Sequence, residues 1–197
     1  DGIDLIGSII LLAPIARLIA TGLTPVVNNT LIKIGDIIQS STDANPLIMG
    51  IVLGGIITVV GTAPLSSMAL TALLGLTGAP MAIGAMAAFS SAFMNSALFH
   101  RLKLGDRKST ISVGIEPLSQ ADIVSANPIP IYVTNFFGGA IAGIIIAWSG
   151  MINNATGTAT PIAGFLVMFG FNSLTKVIIY GVVMAIIGTI AGIVGSI

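Results

Sequence analysis

The sequence contains no cysteine, a single histidine and very few charges, and each shortage removes a class of function. Without cysteine there is no disulfide, thiolate metal site or cysteine nucleophile. With His100 alone, a multi-histidine metal centre is excluded. Charged residues make up 7% of the 197 positions, whereas a soluble domain carries about 25%. A water-facing surface cannot be built from so few. Seven basic and seven acidic residues cancel to a net charge of zero, which excludes nucleic acid as a partner. Gly-x-Ser-x-Gly, His-Glu-x-x-His and Gly-x-x-x-x-Gly-Lys are all missing. The chain is therefore expected to hold no catalytic residues of its own and no cofactor.

What is present is apolar. Hydrophobic residues account for 55% of the chain and the mean hydropathy is +1.07. No Asp, Glu, Lys or Arg occurs from Ala44 to His100, or from Ile123 to Thr175. Each tract is too long for one crossing and must fold back within the bilayer. Continuous apolar runs, rather than alternating ten-residue segments, exclude a β-barrel. The fold class is an all-α integral membrane protein, a polytopic helical bundle with broken or re-entrant helices. Its length allows about five to seven membrane-embedded elements, read as a single transmembrane domain over 1–197. Asp1 opens the sequence without an initiator methionine or signal-peptide pattern, which predicts the membrane part of a longer chain.

Proline, glycine and charge punctuate the apolar runs. Ile3 to Thr21 is long enough to span but carries Arg17, expected to snorkel to the interface rather than pair with Asp4 or Asp36. Thr24-Pro25 is read as the capped start of a second, amphipathic helix to Ile38. Val27, Leu31, Ile34 and Ile38 lie on one of its faces, and Asn28, Lys33, Asp36 and Gln39 on the other. Asn45-Pro46 opens a span to Val60, in which Gly50, Gly54 and Gly55 form a small-residue face for close helix approach. Leu65 to Leu76 is a short helix, and Met81 to Phe99 a full span. His100 to Lys108 is the hydrophilic loop, with four of the seven basic residues, so the positive-inside rule makes 101–108 cytoplasmic. Ser109 to Asn127 is apolar but interrupted, and is predicted to be re-entrant. Ile131 to Trp148 spans, with Gly138, Gly139 and Gly143 as packing residues. Met151 to Thr160 is a loop, Pro161 to Phe171 a short apolar piece, and Val177 to Ile197 the last span.

Glu116 is the most informative residue. It is a carboxylate among apolar and helix-breaking neighbours, where an uncompensated charge at membrane depth costs about 2.5 to 3.5 kcal/mol. Such a residue faces a wet cavity, accepting hydrogen bonds from a solute or carrying a proton; at an interface it would simply be solvated near Arg107 or Lys108. His100 lies at the membrane–water junction and can donate to a polar ligand. Asn95, Asn127, Thr134 and Asn135 offer neutral donors and acceptors, or serve as caps and interhelical glue. Asp122 is expected to cap a short helix. Glu116, His100, Asn95, Asn127 and Asn135 form the candidate substrate site, with no metal site.

The run Gly114-Ile115-Glu116-Pro117, followed by Ala126-Asn127-Pro128 and by Gly138-Gly139-Ala140-Ile141-Ala142-Gly143, resembles the membrane EIIC components of the bacterial phosphotransferase system. Sugar-transporting members carry Ile-Thr-Glu-Pro or Ile-Thr-Glu-Gly and then Asp-Pro. Here no threonine precedes the glutamate, and Asn127 stands in place of the aspartate. From Asn45 to Phe171 the pattern is similar to the PfoR-like branch. The resemblance implies a homodimeric transporter of a sugar or sugar derivative in a bacterial plasma membrane. Its re-entrant glutamate would bind a sugar hydroxyl, and an elevator-like shift would move the solute. It also implies a separate cytoplasmic EIIB protein as phosphate donor. A ligand sensor or regulator that does not transport, and a proton-coupled transporter independent of phosphotransfer, remain the alternatives.

Overall fold

The computed structural model of the protein describes residues 2–42 and 45–197. Among these residues every regular element is helical, and one isolated antiparallel bridge joins Gly78 to Asn153. The chain divides into two compact units, Asp1–Ile37 and Ile38–Ile197, each described here by itself.

The first unit is formed by helix α1, Gly2–Thr42, up to Ile37. This corrects the expected break at Thr24-Pro25, because the helix runs through both Pro14 and Pro25. Thr24 does not cap a new helix. Its hydroxyl bonds back to the carbonyl of Ala20 at 2.8 Å, as that of Thr21 does to Arg17. In apolar surroundings a freed backbone group finds no water, so the surrounding helix is retained around a proline. Leu12, Leu18, Ile19, Leu23 and Val26 are exposed around this helix, and Arg17 is exposed among them. The side chains of Asp4, Val27, Asn28, Leu31 and Gln39 lie outside the described residues.

The second unit contains α2 (Pro46–Thr62), α3 (Ser67–Leu73), α4 (Gly78–Leu102), α5 (Arg107–Ile115), α6 (Ala121–Ala126), α7 (Pro128–Ser149), α8 (Pro161–Val167) and α9 (Leu174–Val194). Single 3-10 turns, Pro117–Gln120 and Met168–Gly170, precede α6 and follow α8. Helices α4, α7 and α9 are long and apolar enough to cross a membrane. Helix α2 has 17 residues, about 25 Å at 1.5 Å per residue, short of a hydrocarbon core of about 30 Å. The fold is thus an all-α membrane bundle of full spans and shorter apolar helices.

Local chemistry sets the ends of these helices. Asn45 caps α2 by accepting from the Ile48 amide at 3.0 Å, with Pro46 at the position where a missing N–H is harmless. Ser66 caps α3 through the Ala69 amide at 3.1 Å. The expected long hydrophilic loop is shorter than its sequence suggests. Helix α4 continues to Leu102 and α5 starts at Arg107, leaving Lys103 to Asp106 as the connection. Lys103 ends α4 in the left-handed conformation, φ 54°, so the chain turns at once instead of trailing as a loop.

Glycine builds the central packing. A Cβ on Gly54 would strike the Gly139 carbonyl and would lie 2.8 Å from the Gly143 Cα. A Cβ on Gly50 would lie 2.6 Å from the Ile144 Cα, and one on Gly143 would strike the Gly50 carbonyl. The backbones of α2 and α7 are therefore in direct contact, as the small-residue spacing predicts. A second seam joins α9 to α4, where Gly188 faces the Ser90 carbonyl and Gly192 the Met94 carbonyl. The Ser90 hydroxyl reinforces it by donating to Met184 O at 2.9 Å.

Even alanine is too large at the first seam. Gly54→Ala and Gly139→Ala should each lower unfolding stability in detergent by about 1–3 kcal/mol. Gly170→Ala, which has open space around it, should melt like the wild type. Equal melting of all three variants would mean that the two backbones do not touch.

Candidate functional site

The five predicted site residues separate into three places. Asn95 and Asn135 come together, fully buried, where α2, α4 and α7 meet. Asn135 Nδ2 donates to Asn95 Oδ1 at 2.7 Å, Asn95 Nδ2 donates to Thr62 Oγ1 at 3.2 Å, and Thr62 Oγ1 donates to Asn135 Oδ1 at 3.2 Å. Three side chains from three helices thus close a ring. Asn135 Nδ2 also reaches Ile131 O at 2.9 Å, and the Thr58 hydroxyl donates to the Asn135 carbonyl at 2.7 Å. Among the described residues no buried side-chain nitrogen or oxygen lacks a partner. The ring uses the hydrogen-bonding groups of both asparagines, so either one can meet a solute only if the ring opens. Thr134 lies one residue away but packs toward Gly195, beyond the end of α9.

Thr58 and Thr62 are the residues the sequence reading missed. Their four-residue spacing puts them on one helix face, but two threonines in an apolar helix look like filler. Their importance comes from partners more than 70 positions later in the chain.

Glu116 and Asn127 belong to the interrupted stretch after α5. Helix α5 doubles back against α4, because Gly114 leaves room for the Ser96 hydroxyl, which donates to Thr110 O at 3.1 Å. Pro117 then stops regular helix, and the chain passes through a 3-10 turn into α6. Leu98, Phe99, Val113, Val124 and Ile131 form a buried cluster that fastens this stretch to the ends of α4 and α7. Glu116 sits at the break with extended backbone, φ −146° and ψ 100°, and its side chain is exposed. Among the described residues, its carboxylate accepts a single long bond, 3.4 Å, from the Leu118 amide. It is therefore available to another donor. Asn127, half-buried between α6 and α7, donates from Nδ2 to Ile123 O at 3.0 Å, and its side-chain oxygen caps neither helix. Asp122 lies exposed in the first turn of α6 rather than at its cap, which Gln120 occupies.

His100 stands at the α4–α5 corner. It lines an open cavity of about 680 Å³ with Lys103, Asp106, Arg107 and Thr110. Asp106 caps α5, accepting from the Ser109 amide at 2.8 Å and the Ser109 hydroxyl at 3.0 Å. Those two bonds hold its carboxyl below the ordinary value. The cap is therefore intact above the ordinary carboxylate pKa and is lost as pH falls through the lowered folded value.

The family model described as Phosphotransferase system, EIIC covers residues 1–197. No curated protein and no solved structure matches the chain.

The buried ring makes a direct prediction. Asn135→Leu leaves Asn95 and Thr62 without their partners in an apolar interior, and should cost about 1–3 kcal/mol of stability. Ser119→Ala, at an exposed turn, should cost far less. Unfolding in detergent, followed by circular dichroism, measures both. No difference between them would show that the ring carries no stability.

Proposed function

We propose a function from one premise: the chain belongs to the EIIC family of the phosphotransferase system, over its whole described length. Such a chain is a membrane-embedded permease component for sugar that works with the other components of that system. The finer reading is that a sugar or sugar derivative binds at Glu116, in the break between α5 and α6. The observation that carries this reading is the carboxylate itself, exposed at a helix interruption and nearly free of intramolecular hydrogen bonds. Lipid cannot solvate such a group, so it needs water or a polar solute. Discontinuous backbone beside a polar group is the usual construction of a transporter site. Asn127 lies at the far end of the same stretch and is its neutral companion.

The transport reading continues from the two glycine seams. Helices whose backbones touch have no room to slide past one another, so α2 with α7, and α4 with α9, behave as rigid pairs. Solute movement is then an elevator-like displacement of a whole block rather than a rearrangement inside one. The EIIC assignment supports a homodimer in a bacterial plasma membrane and a separate cytoplasmic EIIB protein as phosphate donor. The cations around the α4–α5 corner support a cytoplasmic position for 101–108. The pattern from Asn45 to Phe171 supports placement near the PfoR-like branch.

Binding and uptake of labelled sugars by the protein in proteoliposomes test this. Glu116→Gln keeps shape and removes charge, so affinity for the transported sugar should fall by roughly ten- to a hundredfold. Expression and folding should hardly change. Wild-type affinity in Glu116→Gln would remove the residue from the site. Uptake that follows an imposed pH gradient and needs no phosphate donor would favour proton coupling instead.

A further inference from the structure

The corner where α4 turns into α5 has a cavity and a concentration of cations that solute transport at Glu116 does not use. Four of the seven basic residues fall at Arg101, Lys103, Arg107 and Lys108. Arg101 is turned toward the end of the chain, its Nε donating to Ser196 Oγ at 2.7 Å. Lys103 and Arg107, with His100, instead line the open cavity of about 680 Å³. Asp106 lines the same cavity, and its Oδ1 accepts both the amide and the hydroxyl of Ser109. The lining thus sets two permanent cations, Lys103 and Arg107, against one carboxylate.

Two further observations indicate what the cavity holds. Lys103 adopts the left-handed conformation, φ 54°, and is the only non-glycine residue with positive φ among the described residues. Glycine or asparagine would take that place with less strain, so the turn itself does not call for lysine. Beside the cavity, Lys108, Ile111 and Ile115 fall on one side of α5 at positions i, i+3 and i+7. Ile111 and Ile115 are each 56% exposed. Val113 and Gly114 are buried on the side that packs on α4. Cations followed by an exposed apolar strip, at the end of a spanning helix, match the order of headgroup and acyl layers in a bilayer.

We propose that the α4–α5 corner is a binding site for the phosphate group of an anionic phospholipid. Lys103 and Arg107 meet the phosphate, and the acyl chains run along Ile111 and Ile115. A free phosphate ion shares the first interaction and would leave the apolar strip unused, which is why the site is assigned to a lipid. The proposal does not depend on which solute Glu116 holds. It concerns how the membrane fixes the corner from which the stretch carrying Glu116 departs.

The test uses the whole chain in neutral detergent, titrated separately with dioctanoyl phosphatidylglycerol, dioctanoyl phosphatidylcholine and inorganic phosphate. Native mass spectrometry counts the bound molecules. Phosphatidylglycerol should bind at least tenfold more tightly than phosphatidylcholine or phosphate. Each basic residue near an anionic headgroup changes affinity by roughly fivefold, so Lys103→Asn with Arg107→Gln should weaken phosphatidylglycerol binding by roughly twentyfold or more. Asparagine tolerates the left-handed turn; should the double variant still fail to fold, Arg107→Gln alone should show the single fivefold loss. Lys176→Gln removes one cation at the start of α9 and should bind like the wild type. Unchanged phosphatidylglycerol affinity in the corner variants, or a loss in Lys176→Gln equal to that of Arg107→Gln, would overturn the site. Phosphate binding as tightly as phosphatidylglycerol through the same residues would overturn the lipid assignment and leave a free-anion site.

Discussion

The contact between the α2 and α7 backbones is the constraint from which the rest of the second unit follows. Between helices in lipid there is little hydrophobic drive, so association relies on close packing and interhelical hydrogen bonds. Gly50 and Gly54 on one helix and Gly139 and Gly143 on the other supply the packing, because a single Cβ at any of them would strike the opposite backbone. The seam brings Asn135 beside Thr58 and Thr62, and α4 completes the arrangement with Asn95. The polar ring is thus a consequence of the glycine seam as well as a lock on it. In a wider interface the same asparagines would be unpaired, at a cost that an apolar interior makes severe.

The two seams set part of the second unit apart from the rest in construction. Helices α2 and α7, and separately α4 and α9, touch through main-chain atoms with no compressible side chain between them. The stretch from α5 through α6 is built differently. It is short, interrupted at Pro117, and fastened by a small apolar cluster rather than by backbone contact. The seams and the interrupted segment beside them therefore differ in mechanical character. Membership in the EIIC family gives that arrangement its biological context.

Much of this was readable from residue patterns, and the failures have physical causes. The helical membrane class followed from missing charge, and the seam glycines from small residues spaced along apolar helices. The interruption at Glu116 followed from Pro117, whereas Gly114 and Asp122, read as further breaks, lie within α5 and α6. Thr24-Pro25 misled, because a threonine before proline is a good cap in water but bonds back into its own helix here. The run His100 to Lys108 looked like a loop because it is polar, yet much of it is helix; polarity reports solvation, whereas the left-handed Lys103 sets the turn. Asn95 and Asn135 were recognisable as polar groups in apolar spans. Their closure into a ring was not, because Thr62 bonds across 73 positions and no local pattern encodes that pairing.

The central claim is that α2 and α7 touch backbone to backbone at their glycines in the membrane. Solid-state NMR of the protein in lipid bilayers, with glycine labelled at Cα, tests it most directly. A Cβ on Gly54 would lie 2.8 Å from the Gly143 Cα, so the two glycine α-carbons should give a strong through-space correlation at short mixing time. Absence of that correlation, with both helices still formed by their chemical shifts, would contradict the seam and the rigid framework derived from it.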